Sequence, residues 1–148
     1  MPDADHPTLS LAADLASLES ATDFARCGAV AAGLPEDCWG HLDLVVEEIF
    51  VNVVRYAYGP GAAGVVELTY CVPKPGLLSV EIADQGAEYN PLTLREPNLP
   101  GSLKERSVGG LGVFLVRQLT ESLDYRRDGG WNRLRFGISA VSAASACQ

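Results

Sequence analysis

The sequence predicts an α+β fold, a two-layer sandwich with helices on one face of a mixed, mostly antiparallel sheet. Two long segments with helical periodicity come early, and the strand-like segments arrive as hairpin pairs. The strand–helix–strand alternation that a doubly wound parallel sheet needs does not run along the chain. At 148 residues with 47% apolar content, the chain can build one real core but not two ordinary ones, so 1–148 reads as a single domain.

Thr8 to Ala12 alternates as a short first strand. From Leu15 to Ala32, the residues Leu18, Ala21, Ala25 and Ala29 recur at helical spacing, and Gly33 stands where a C-terminal cap belongs. Pro35 opens a second helix with Glu36 and Asp37 in its first turn, and Gly59-Pro60-Gly61 stops it after Tyr58. Val45, Val46, Ile49, Val51, Val53 and Val54 would suit a strand by propensity, yet the apolar residues do not alternate. Wound at about 100° per residue, Leu42, Val45, Val46, Ile49, Phe50, Val53, Val54 and Ala57 form one arc, with Glu48, Asn52 and Arg55 outside it.

Val65 to Val72 and Leu77 to Ala83 alternate around Pro73-Lys74-Pro75-Gly76, which predicts an antiparallel hairpin. Residues 92–108 carry Pro97, Pro100 and Gly101 without a period; so long a loop in a compact domain is usually functional, and it reads as a lid. Helical spacing resumes over Val113 to Leu123. Asp124 to Arg127 and Asn132 to Ile138 then flank Asp128-Gly129-Gly130 as a second hairpin. The ends, about 1–7 and 139–148, lack a strong pattern and are expected to fray.

The net charge of −8 excludes a general nucleic-acid binder, which needs a basic face. The basic residues Lys104, Arg106, Arg117, Arg126, Arg127, Arg133 and Arg135 fall in the last third, which suits an anionic ligand held on that side. Cys27, Cys38, Cys71 and Cys147 have no metal-ligand or C-x-x-C spacing, and His6 and His41 belong to no triad-like set. No signal segment or membrane-length apolar run is visible, so a cytoplasmic protein without membrane contact is expected.

Three constellations carry chemistry. Glu48 and Asn52, four apart, project from one helical face. An amide carbonyl from Asn52 with phosphate oxygens suits magnesium, and the Glu48 carboxylate is then free to act on protons. Asp84 closes an apolar strand ahead of Gly86; an ionised carboxylate is acceptor-only, matching the exocyclic amine of adenine and mismatching the carbonyl of guanine. Gly109-Gly110-Leu111-Gly112 opens a helix with bare backbone N–H groups, a place where phosphate binds readily. Lys104 and Arg106 in the lid are candidates to close over the phosphates. Each constellation alone also suits an ordinary solvated helix face or turn, and the weight lies in their joint order.

That order resembles the N, G1 and G2 boxes of the GHKL superfamily, which includes gyrase, MutL and histidine kinases and has the Bergerat fold. The matching text is Glu47-Glu48-Ile49-Phe50-Val51-Asn52-Val53-Val54-Arg55-Tyr56-Ala57-Tyr58, then Asp84-Gln85-Gly86-Ala87-Glu88-Tyr89-Asn90-Pro91, then Val108-Gly109-Gly110-Leu111-Gly112-Val113-Phe114-Leu115. Tyr125 and Asn132 to Leu134 also fit. Within the superfamily the chain is similar to the small serine-protein-kinase anti-sigma factors, from Leu9 to about Ile138. It departs at Asn90 and Glu121, where that subgroup usually has Asp.

The resemblance implies ATP and Mg2+ as cofactors. It implies Glu48 as catalytic base, Asn52 as metal ligand, Asp84 and Gly86 at adenine, and Gly109, Gly110, Leu111 and Gly112 at the phosphates. By the same resemblance, the expected activity is serine/threonine phosphorylation of a small STAS-domain anti-sigma antagonist in a partner-switching system. A sigma factor or analogous regulator would be the other partner, and a homodimer is compatible with it. The alternative is a non-catalytic ATP-binding scaffold that engages partners in a nucleotide-dependent way; a plain ATPase is a third, weaker option.

Overall fold

The computed structural model describes residues 6–59, 63–93 and 110–140. The elements are β1 (Thr8–Ala12), α1 (Leu18–Ala32), α2 (Trp39–Tyr56), β2 (Val65–Lys74), β3 (Leu77–Asp84), α3 (Gly110–Leu119), β4 (Ser122–Asp128) and β5 (Trp131–Ser139). Lys104, Arg106 and Gly109, with nearly all of the expected lid, lie outside the described residues.

The strands form one sheet in the order β1-β2-β3-β5-β4, and every pairing is antiparallel. Alternation within each strand therefore sorts side chains onto two faces. Val66 and Leu68 on β2, Leu78, Val80 and Ile82 on β3, and Leu134, Phe136 and Ile138 on β5 are buried beneath the helices. The apolar arc of α2 meets them, with Leu42, Val45, Val46 and Phe50 fully buried. The buried face of α1 is built from Ala21, Ala25, Gly28, Ala29 and Ala32. Its small residues let α1 lie close: a Cβ on Gly28 would stand 2.7 Å from Leu78 Cδ1 and 3.0 Å from the Tyr70 ring.

Gly33 caps α1 in the left-handed conformation (φ 78°), its N–H donating to the carbonyls of Ala29 and Val30. Gly129 and Gly130 both have positive φ, which a tight two-residue hairpin turn between β4 and β5 requires. The second helix is entered through a 3-10 turn at Glu36–Cys38. The third ends at Leu119, before the expected Leu123. Glu121 N–H donates to the Gly137 carbonyl at 2.7 Å, and Leu123 pairs with Phe136, so the sheet claims the residues that helical spacing alone would keep. At the chain's far end, β5 continues through Ser139, paired with Leu77 and buried. Among the described residues no helix is long and apolar enough to cross a membrane.

Candidate functional site

The site lies where α2, α3 and the ends of β3 and β5 meet. Asn52 is 6% exposed although it belongs to the polar stripe of α2. Its side-chain amide has no hydrogen-bond partner among the described residues, an arrangement that favours an incoming ligand. One turn earlier, Glu48 is half-buried, and its Oε1 lies against Gly112 of α3. A Cβ at position 112 would run into that oxygen, so the bare backbone there is what admits the carboxylate. Burial chiefly, then the neighbouring Glu47 charge, raises the Glu48 carboxyl above its ordinary pKa, with Arg55 opposing. The first and third constellations are thus in direct contact.

Asp84 ends β3 at 4% exposure. Its Oδ1 accepts two hydrogen bonds, from the Gly86 N–H at 2.9 Å and from Asn132 Nδ2 at 2.8 Å. Burial raises its pKa most; the Asn132 and Gly86 hydrogen bonds and the Arg127 charge pull the other way. With Oδ1 doubly occupied, the carboxylate is held in one orientation and Oδ2 keeps its acceptor capacity.

Asn132 organises this corner. Its Nδ2 also donates to the Ala87 carbonyl at 2.8 Å, while its Oδ1 accepts from the Tyr125 hydroxyl at 2.6 Å, Arg127 Nη1 at 3.1 Å and the Tyr89 N–H at 3.3 Å. Both amide hydrogens and the carbonyl are used, which fixes the side chain and through it Asp84. Arg127 further donates to the Gly86 carbonyl at 2.9 Å. The sequence placed Asn132, Tyr125 and Tyr89 in a matching pattern and Arg127 among the basic residues of the last third, but assigned none of the four an individual role in the site.

Gly86 is buried behind Asp84. A Cβ there would collide with the Ala57 backbone carbonyl, which also accepts the Ala87 N–H at 2.9 Å. Its φ is not positive, so close packing against the end of α2 is the reason for glycine here. A backbone carbonyl cannot swing aside as a side chain can. Gly86→Ala is therefore expected to destabilise the fold by about 1–3 kcal/mol, read as a fall in thermal midpoint of several degrees; an unchanged midpoint would refute the packing argument.

Asn90 and Glu121 fill their places without disruption. Asn90 Oδ1 accepts the Leu92 N–H at 2.9 Å, a turn an Asp would make equally well. Glu121 accepts from the Ser139 hydroxyl at 3.1 Å. Arg117 of α3 donates to the Leu92 carbonyl at 2.8 Å, tying the segment after Asp84 to the third helix.

Between these groups is a narrow cleft that opens to solvent. Ile49, Val53, Ile82, Val113, Val116 and Leu134 make its walls apolar, and Asn52, Asp84, Tyr89 and Asn132 supply polar atoms at its rim and floor. A flat, largely apolar body with one amine to donate fits that lining, with Asp84 as its acceptor. Among the described residues no cluster of three or more His, Cys, Asp or Glu could cage a metal. The donor set fits magnesium held by one amide oxygen and a ligand's phosphates better than a cation held by protein alone. Gly110 is the first residue of α3.

Residues 11–138 match the model of the histidine kinase-like ATPase domain. The chain is 37% identical over 93 residues to serine/threonine-protein kinase BtrW of Bordetella bronchiseptica, covering 63% of this chain and 65% of that protein. It is 29% identical over 90 residues to blue-light-activated histidine kinase 2 of Erythrobacter litoralis, covering 61% of this chain and 23% of that protein. The matches thus span less than two thirds of either relative's length. In structure it is similar to the histidine kinase domain of the Erythrobacter litoralis EL346 blue-light activated histidine kinase, with a TM-score of 0.52 and 22% identity over 88% of this chain and 63% of that chain. The EL346 blue-light activated histidine kinase itself gives a TM-score of 0.51 at 25% identity, over 76% of this chain and 33% of that one.

Proposed function

The chain belongs to the histidine kinase-like ATPase family, and from that premise we propose that it is an ATP-dependent serine/threonine protein kinase acting on a small regulatory protein. One observation supports the reading above others: Asn52 on α2 shares one cleft with Asp84, and Glu48, one turn before Asn52, has its carboxylate against Gly112 near the start of α3, where the bare backbone leaves room for it. An adenine-accepting acid, a metal-ligating amide, bare backbone donors and a carboxylate poised for proton transfer are the parts a phosphoryl-transfer site requires.

In this reading Asp84 accepts the adenine amine and the apolar walls take the ring. Asn52 would hold Mg2+, which would supply charge neutralisation at the phosphate oxygens. Glu48 accepts the proton of the substrate hydroxyl as that oxygen bonds to the γ-phosphorus, and the bond from phosphorus to the bridging oxygen of ADP breaks. A raised carboxyl pKa suits the task, because a base whose pKa lies nearer the working pH is a better proton acceptor.

The partner is proposed to be a STAS-type antagonist, and a sigma factor or similar regulator the second protein held. Phosphorylation would add a charge of about −1.5 to −2 to a protein docked on a chain of net charge −8. Repulsion then favours release and hands the kinase to its other partner, the logic of a partner switch. BtrW, named a serine/threonine-protein kinase, supports the acceptor class. Purified protein with Mg-ATP and the cognate antagonist should yield phosphoserine or phosphothreonine by mass spectrometry. Nucleotide binding without any phosphorylated product would leave only the scaffold.

A further inference from the structure

The hydroxyl of Tyr89 has no evident use in the cleft as it stands. Its Oη is buried and has no hydrogen-bond partner among the described residues. Buried hydroxyls are normally paired, and one that is not costs stability in the free protein. The residue is nonetheless firmly placed. Its N–H donates to Asn132 Oδ1 at 3.3 Å, which puts it in the network that orients Asp84. Its ring packs on that of Tyr56 with centroids 5.3 Å apart, one helical turn beyond Asn52. Tyr89 lines the same cleft as Asp84 and Asn52.

We propose that the Tyr89 hydroxyl is a specificity-determining donor to the nucleoside part of the bound nucleotide, a second polar reader beside Asp84. The inference rests on the ATP-site reading. Purine ring nitrogens and ribose hydroxyls both offer acceptors, and a hydroxyl that no described residue pairs can be satisfied by a ligand in the cleft that Tyr89 lines. Burial, with Tyr56 adding to it, pushes the phenol pKa up to about 12, so the proton stays on the oxygen throughout the neutral range. Phe would keep the ring, its packing on Tyr56 and the backbone bond to Asn132, and would remove only the donor.

Tyr89→Phe separates this role from a structural one because the two readouts move oppositely. Isothermal titration with ATP, adenosine and adenine should show the variant binding ATP and adenosine roughly three- to tenfold more weakly. The thermal midpoint without ligand should hold or rise, since the unpaired hydroxyl is gone. A similar loss with adenine places the contact on the base, and a loss confined to adenosine and ATP places it on the ribose; both support the proposal. Unchanged affinity for ATP and adenosine, a loss confined to ATP, or a lower midpoint for the free variant overturns it, the last because the hydroxyl would then have a partner within the protein. Failure of the wild type to bind ATP at all would sink the ATP-site reading and this inference together, whereas normal wild-type binding with an equal variant sinks only the inference.

Discussion

Glu48→Gln is expected to lower phosphoryl transfer by about a hundred- to ten-thousandfold while leaving ATP affinity nearly unchanged. The amide keeps the size that Gly112 accommodates, so the meeting of α2 and α3 survives and only the proton acceptor is lost. Wild-type transfer should increase as pH rises through the raised Glu48 pKa, because only the ionised carboxylate can take the hydroxyl proton, and the variant should lose that limb of the profile. Stability runs the other way. A carboxyl whose pKa is raised on folding stabilises the fold while protonated, fully below the unfolded value, and that contribution is lost as pH rises through the folded value. At neutral pH the neutral amide is therefore expected to leave the thermal midpoint equal or higher. A variant that transfers phosphate at the wild-type rate would remove Glu48 from the chemistry, and one that keeps partner regulation without transfer would favour the scaffold.

What sequence could reveal here follows from how locally each feature is determined. The arc of α2 is set by residues within five turns, so Leu42 to Ala57 identify the buried face despite their β-branched side chains. The hairpins were readable because Gly76 and Gly129-Gly130 sit where positive φ is needed. The role of Asn132 was not readable in the same way. It faces Asp84 only because β5 inserts between β3 and β4, and nothing local to Trp131–Ser139 announces that neighbour. The pattern placed Leu123 in a helix because an apolar residue at helical spacing looks the same whichever neighbour buries it. The contact of Glu48 with Gly112 joins two motifs far apart in the chain, and a glycine chosen to make room is indistinguishable in sequence from one chosen for a turn.

Asp84→Asn should cost ATP about a hundredfold or more in affinity, the largest binding loss expected from an isosteric change in this cleft. The new side chain can still accept from Gly86 and Asn132 through Oδ1, because both partners are donors. That leaves its NH2 where Asp84 had an acceptor, so two donors confront each other when adenine binds. The 6-oxo group of inosine reverses the mismatch, and the ratio of ITP to ATP affinity should rise in the variant even as ATP binding falls. Acidity should mimic part of the substitution. Asp84 has its pKa raised chiefly by burial, so wild-type affinity for adenosine should fall as pH drops through that raised value and the acceptor gains a proton. Over the same interval protonation removes the penalty of a buried charge, so Asp84's contribution to the stability of the free protein should grow rather than shrink. Opposite slopes for adenosine affinity and free-protein stability, both flattened by Asp84→Asn, are the signature of a carboxylate kept ionised for its ligand. Parallel slopes, or an ITP/ATP ratio that does not move, would instead make Asp84 an ordinary member of the Asn132 network.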